Sequence, residues 1–312
     1  MSAVPADVRD YVRLHDLTRR SGTTTTLRTI SLTAIYVGTA VVCARLGSPI
    51  AWALGWFVQG LVLVGAYSAV HEASHKNFYR SATLNWVVGL FWSTVVFQHL
   101  GWYRIEHLHH HRHTRIEGDS EPNRVITGAS SYVYWWLRSW RFTFFLAGIY
   151  CSISSLLGRF PREGLSTREQ RAMKIDGAVL LAAFAVLVGL TIWSPLSVLV
   201  YWGAPFALAA GVFYFVSVLP EHHGCPWDPD YFVNTRTTTS NALFRFFYWN
   251  NNYHAEHHLC PGVPYQNLAK LHEHIKPRLH YIERSFTGYS LGLMVNSQRP
   301  RRAEPIARQA EE

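Results

Sequence analysis

The chain of 312 residues is 49% apolar and only 16% charged, with a formal charge of +9. Its mean hydropathy is nonetheless close to zero, so apolar and polar residues are segregated, as in membrane spans joined to a sizeable water-facing part. Cys43, Cys151, Cys225 and Cys260 form no CxxC pair and no regular framework, which excludes a disulfide scaffold and fits a reduced, cytoplasm-facing protein.

Residues 1–28 form a polar N-terminal segment carrying Asp7, Asp10, Arg19 and Arg20. It does not read as a cleavable leader, because the apolar run after it is long enough to span. That run, Thr29–Gly47, and the next, Ile50–Val70, are joined at Ser48-Pro49. Leu84–Trp102 follows and is nearly uncharged. Tyr132–Leu157 interleaves Tyr134, Trp135, Trp136 and Trp140 with Arg138 and Arg141, the pattern of an interfacial belt. Ile175–Trp193 and Leu196–Leu219 make a second hairpin around Ser194-Pro195. Each of the four runs approaches the ~20 residues needed to cross ~30 Å of hydrocarbon. The predicted fold class is an all-α integral membrane protein: four transmembrane helices in two hairpins, interfacial helices and a cytoplasmic histidine-rich cap. The spans lie in a membrane domain of residues 29–298. The charged tail, 299–312, lacks apolar periodicity and is expected to be disordered.

Basic residues set the expected orientation. Five Lys/Arg fall in 1–28, six in 71–131, seven in 132–174 and ten in 220–312, leaving only Arg45 beside the first turn. On the positive-inside rule, everything outside the hairpins is cytoplasmic, both termini included. The charge is therefore mostly topology, and no basic stripe with exposed aromatics is left over to bind nucleic acid.

The 17 histidines carry the chemistry. His71-Glu-Ala-Ser-His75 sits where the second span ends, and His107-Leu-His-His110-His111 follows Trp102 and Arg104. His222-His223 sits at the end of the fourth span, and His254-Ala-Glu-His257-His258 precedes Pro261. Residues i, i+3 and i+4 share a helix face, so such a cluster can aim its imidazoles at one point. His71, His75, His107, His110, His111, His222, His254, His257 and His258 make nine candidate ligands. One zinc uses about four ligands, so nine suggest two metals. Imidazole suits iron, zinc, copper and nickel alike. His223 could take the place of His222. Glu72, Glu106, Asp119, Glu221, Asn252 and Glu256 adjoin the ligands and could orient them, and Asn250, Asn251 and Asn252 could offer an amide to a metal-bound water. His109 and His113 are out of register. His15, His99, His272, His274 and His280 fit no cluster and read as surface or satisfied structural residues, so His272→Ala is expected to keep substantial activity.

His71-Glu72-Ala-Ser-His75 also matches HExxH, in which the Glu is the general base of a zinc protease. That reading needs an acidic ligand from another span and leaves both HxxHH clusters idle; the later spans offer only Asp176, at the very start of one. A metal transporter would place its ligands within the spans rather than at their ends.

The three clusters resemble the histidine boxes of the membrane fatty acid desaturase/hydroxylase superfamily. So do their surroundings: Trp102-Tyr-Arg104 and Thr114 around the second, Asn252-Tyr253 and Pro261-Gly-Val-Pro264 around the third. Glu221-His222 resembles the extra ligand placed after the last span. The resemblance runs from about residue 50 to residue 280. It implies a non-haem diiron centre, O2 as co-substrate, an apolar substrate, and a separate electron donor such as a ferredoxin or a cytochrome b5-like protein with its reductase. It favours fatty acyl desaturation; hydroxylation or ketolation of an acyl, terpenoid or other apolar substrate is the alternative, since the third box is also similar to that of carotenoid ketolases and hydroxylases. All boxes must then meet on one side of the membrane, so neither Leu84–Trp102 nor Tyr132–Leu157 can be a single full span.

Overall fold

The computed structural model describes residues 4–121, 126, 128–139, 143–213, 215 and 220–295. The chain is an all-α membrane protein with four helices long and apolar enough to cross a bilayer. Helix α1 (Ala6–Leu14) is followed by α2 (Gly22–Leu46), which starts where the Ser21 hydroxyl accepts the Thr24 amide and stops at Gly47, whose φ of 60° suits a residue without Cβ. Pro49 at once opens α3 (Pro49–Ser74), a position where its missing N–H costs nothing. Helix α8 (Thr167–Trp193) begins with a reciprocal capping box between Ser166 and Glu169. After Ser194 the last span runs from α9 (Pro195–Val198) through a π-helical turn, Leu199–Gly203, into α10 (Ala204–Phe213). The first and third of these helices start several residues before the apolar runs, because capped polar turns extend them. The expected tail, 299–312, and Trp140 and Arg141 of the belt lie outside the described residues.

Two compact units emerge from the contacts, Arg20–Leu108 with Arg138–Phe213, and Met1–Arg19 with His109–Leu137 and Tyr214–Glu312. The first contains the spans. Leu46, Ile192 and Trp193 are 65%, 80% and 82% exposed; water opposes such apolar faces and lipid does not. Helix α3 is the enclosed one, buried without interruption over 62–74. At Gly60 a Cβ would stand 3.3 Å from Leu208 Cβ and 3.4 Å from the Pro205 carbonyl, so the small residue lets two spans touch closely.

Helices α4 (Ala82–Val95) and α7 (Thr143–Leu156) have 14 residues each, about 21 Å at 1.5 Å per residue and short of a ~30 Å core. The expectation that neither stretch crosses alone agrees with these lengths. Beyond α4 the chain turns at Phe97, φ 54°, and enters α5 (Leu100–His113). Gly148 of α7 holds this turn: a Cβ there would lie 2.1 Å from the Phe97 carbonyl oxygen. That clash is with backbone and no rotamer relieves it. Gly148→Ala is expected to destabilise the protein by roughly 1–3 kcal/mol, read as a lower unfolding temperature in detergent; an unchanged temperature would show that the turn yields freely.

The second unit holds α6 (Ala129–Ser139) in part, α11 (Tyr231–Asn234), α12 (Ala242–Phe247), α13 (His254–Leu259), α14 (Leu268–Ile275) and α15 (Phe286–Val295). Two short parallel strands, β1 (Thr237–Thr238) and β2 (Ile282–Glu283), pair Thr237 with Ile282 and Thr238 with Glu283. Its core joins Leu259, Leu268, Leu271 and Ile275 to Val8 and Leu17. The polar N-terminal segment is thus part of the fold. Asn267 Nδ2 donates to the Leu17 carbonyl at 2.8 Å, Arg278 pairs with Asp7 at 2.9 Å, and Tyr11 stacks on His274 at 3.9 Å.

Candidate metal centre

In the first unit, the end of the enclosed α3 presents His71, and His75 follows as its C-terminal cap. His107 comes from α5. The three rings meet edge-on, with centroids 5.2 Å apart for His71–His75, 4.4 Å for His71–His107 and 4.9 Å for His75–His107. Asn85 of α4 fixes the chain around them, donating to the Ala73 carbonyl and accepting the Phe78 amide, each at 3.0 Å. Glu72 is fully buried, its Oε1 3.8 Å from His71 Nδ1.

In the second unit, His110 and His111 end α5, His222 lies in the segment before α11, and α13 carries His254, His257 and His258. Their Nε2 atoms converge. His110 to His222 is 3.2 Å, His222 to His254 is 3.3 Å and His254 to His258 is 3.0 Å, while His111 meets His257 at 3.1 Å. Three of the Nδ1 atoms turn outward to acceptors. His110 Nδ1 donates to Asp119 at 2.7 Å, and His222 Nδ1 to the Asn234 carbonyl at 3.3 Å. His258 Nδ1 donates to Thr114 Oγ1 at 3.1 Å, whose own hydrogen goes to the His110 carbonyl at 2.8 Å. These partners assign the proton of these three rings to Nδ1, leaving on their Nε2 atoms lone pairs that face the other rings. Lone pairs that close repel unless a cation sits among them, so the donor set fits a metal. Burial holds His222 and His258 well below the ordinary imidazole pKa, the neutral state a ligand needs. At His110 burial is outweighed by the Glu121 and Asp119 carboxylates, which raise its pKa and strengthen the imidazole as a donor.

His222 therefore stands in the cluster, grouped with His110 and His258. His223 points elsewhere, with Nδ1 on the Tyr289 hydroxyl at 2.9 Å and Nε2 accepting the Ile126 amide at 3.3 Å. Buried Arg236 pins the segment that carries both, donating to the carbonyls of Pro220 and His223 at 2.8 Å each. Glu221 lies 3.5 Å from His254 Nδ1 and accepts the Tyr248 hydroxyl at 2.9 Å. Glu256 turns away from the convergent atoms: it is fully buried and bonds His272 Nδ1 and Thr237 Oγ1, each at 2.5 Å. Glu106 lies at an exposed position of α5. The amides of Asn250 and Asn252 are spent on the carbonyls of Tyr265 and Thr238, at 2.9 and 2.8 Å, so they brace the third box rather than reach a metal-bound water. His109 and His113 stack on each other, with ring centroids 4.1 Å apart. Sequence reasoning named Thr114 only as part of the wording around the second cluster and missed the outer partners Asn234, Thr237 and His272; a signal for the last two was the acidic residue set between the ligands His254 and His257.

A sequence model of the fatty acid desaturase family matches residues 48–290 of this chain, a stretch that contains every one of these histidines. The chain belongs to that family. Among relatives, it is 27% identical to the chloroplastic omega-3 fatty acid desaturase of Ricinus communis, over 85% of this chain and 63% of the relative. It is 28% identical to the temperature-sensitive sn-2 acyl-lipid omega-3 desaturase (ferredoxin) of Arabidopsis thaliana, over 85% of this chain and 67% of that one. The sn-1 acyl-lipid omega-3 desaturase (ferredoxin) of Synechocystis is 27% identical over 78% of this chain and 73% of its own length. This desaturase-family chain thus spans about two thirds of the length of the plant relatives. Membership sets aside the HExxH protease reading of His71–His75.

Proposed function

We propose that the protein is an O2-dependent acyl desaturase, an oxidoreductase whose nine candidate histidines hold two iron ions beside a membrane. The observation that carries this is the convergence of His110, His222, His254 and His258 through Nε2 while their outer nitrogens face acceptors. His71, His75 and His107 supply a second group of donors. Bound iron would supply the reductive activation of O2 and the removal of hydrogen from an unactivated methylene. The chain's own residues do the rest. Asp119, Glu221 and Thr114 fix the rings they touch, burial keeps water from the donor atoms, and the apolar spans bring the substrate from the lipid. In balance, two adjacent methylenes lose two hydrogens, and O2 with two electrons and two protons leaves as two waters. The electrons come from a separate protein; two of the relatives carry ferredoxin in their names. The distribution of Lys and Arg supports a cytoplasmic site.

Membranes containing the protein, a ferredoxin and its reductase test the reading. Lipid mass spectrometry under ¹⁸O2 is expected to show new double bonds, with all label in water. Labelled alcohol without alkene would replace desaturation by hydroxylation, and the ligand assignment would stand.

A further inference from the structure

Helix α5 carries the middle set of histidines, and its first turn is anchored by polar groups that the metal reading does not use. Asp176 lies on α8, 2% exposed, and is that helix's last charged residue before Trp193. Its two oxygens are divided: Oδ1 accepts Trp86 Nε1 of α4 at 2.8 Å, and Oδ2 accepts the Gly101 amide at 3.1 Å. Gly101 is the second residue of α5, and a Cβ there would lie 2.6 Å from Met173 Cγ and 3.2 Å from Asp176 Oδ2. The absent side chain is what lets the carboxylate reach the helix end.

His99 completes the arrangement. It is 3% exposed, its Nδ1 accepts the Trp102 amide at 3.4 Å and its carbonyl accepts the Tyr103 amide at 3.0 Å. On the other side of the ring, Nε2 meets the Met173 carbonyl at 3.1 Å and Ser155 Oγ at 3.2 Å, while Ser155 Oγ also accepts Trp102 Nε1 at 2.8 Å. Burial lowers the His99 pKa to about 4, so the ring is neutral and its Nδ1 is free to accept. Two successive amides at the start of α5, those of Gly101 and Trp102, therefore end on the Asp176 carboxylate and the His99 ring, where a helix N-terminus otherwise leaves them to water. Burying an ionisable group is costly unless it is hydrogen-bonded, and both of these are.

We propose that Asp176 and His99 are positioning residues that tie the start of α5 to α7 and α8, set its register and so place His107 against His71 and His75. A one-residue slip of α5 would turn its face by about 100° and carry His107 off that cluster. The proposal rests on the metal-site reading above, and its test separates the two.

Amide hydrogen exchange in the purified, metal-free protein reads the anchor itself. Iron(II) affinity, measured by chelator competition, reads its consequence. For Asp176→Ala, the Gly101–Tyr103 amides are expected to exchange at least tenfold faster, and one of two iron ions to bind about 10–100-fold more weakly. Asp176→Asn keeps the size and one acceptor, and is expected to fall between Ala and wild type, so the test survives if Ala does not fold. His99→Asn can still cap the Trp102 amide but gives up the contacts to Met173 and Ser155, and is expected to fall between Asp176→Ala and wild type. Trp86→Phe removes the other bond to the same carboxylate and should alter neither reading. Unchanged exchange in α5, or a lowered unfolding temperature with both iron affinities intact, would overturn the proposal. A wild-type protein that exchanges as expected yet takes up no iron would overturn it through the site reading on which it rests.

Discussion

Replacing His222 with alanine is expected to abolish turnover and release tightly held iron, while His223→Ala keeps both. The two residues are neighbours in sequence, yet only His222 aims Nε2 at His110 and His254, at 3.2 and 3.3 Å. Loss of a ligand should exceed the ~10–100-fold that changes to outer-shell partners cost in metal affinity or activity. His223 spends its two nitrogens on Tyr289 and the Ile126 amide. Its removal forfeits ordinary hydrogen bonds, about 1–3 kcal/mol of stability for buried groups left unsatisfied. Iron content and turnover of the two variants in membranes decide the matter. Full activity in His222→Ala would remove that residue from the site, and loss of iron in His223→Ala would move the ligand there.

The second large effect is expected at Glu256 and His272. From sequence alone His272 is a surface or satisfied structural residue whose removal keeps substantial activity, because it belongs to no cluster. The structure changes that expectation: His272 is buried, and its Nδ1 lies 2.5 Å from a Glu256 carboxylate that is itself fully buried between two ligands. The same carboxylate accepts from Thr237 at 2.5 Å, tying the six-residue helix α13 to β1 on one side and α14 on the other. His272→Ala leaves a buried acceptor short of a partner, at about 1–3 kcal/mol and more if the pair is ionic. The unfolding temperature should fall, and with it the activity that depends on His254, His257 and His258. Replacing both residues by leucine should cost less than the sum of the single changes, since neither polar group is then stranded. Additive losses would show that the contact carries no coupling.

The parts that were legible in the sequence follow a periodicity. Lipid demands unbroken apolar runs, so Thr29–Gly47 and Ile175–Trp193 could be placed before any coordinates, and the i, i+3, i+4 spacing disclosed His107, His110 and His111. What escaped depends on pairing between distant residues. Asp119 stands nine positions from His110, and Asp176 reaches back 75 positions to Gly101, separations that no local pattern encodes. The choice between His222 and His223 is a matter of rotation about one segment, set by Arg236 from 13 or more residues away. Val8 and Leu17 lie among charges, in a segment too short and too polar to span, and Val4, Tyr11 and Val12 share with them the core that α14 completes.

Metal analysis of purified, active protein from iron-replete cells tests the central assignment most directly. Two irons per chain, lost together with activity in His258→Ala, are the expected result. One tightly held zinc and no iron in an active preparation would contradict it.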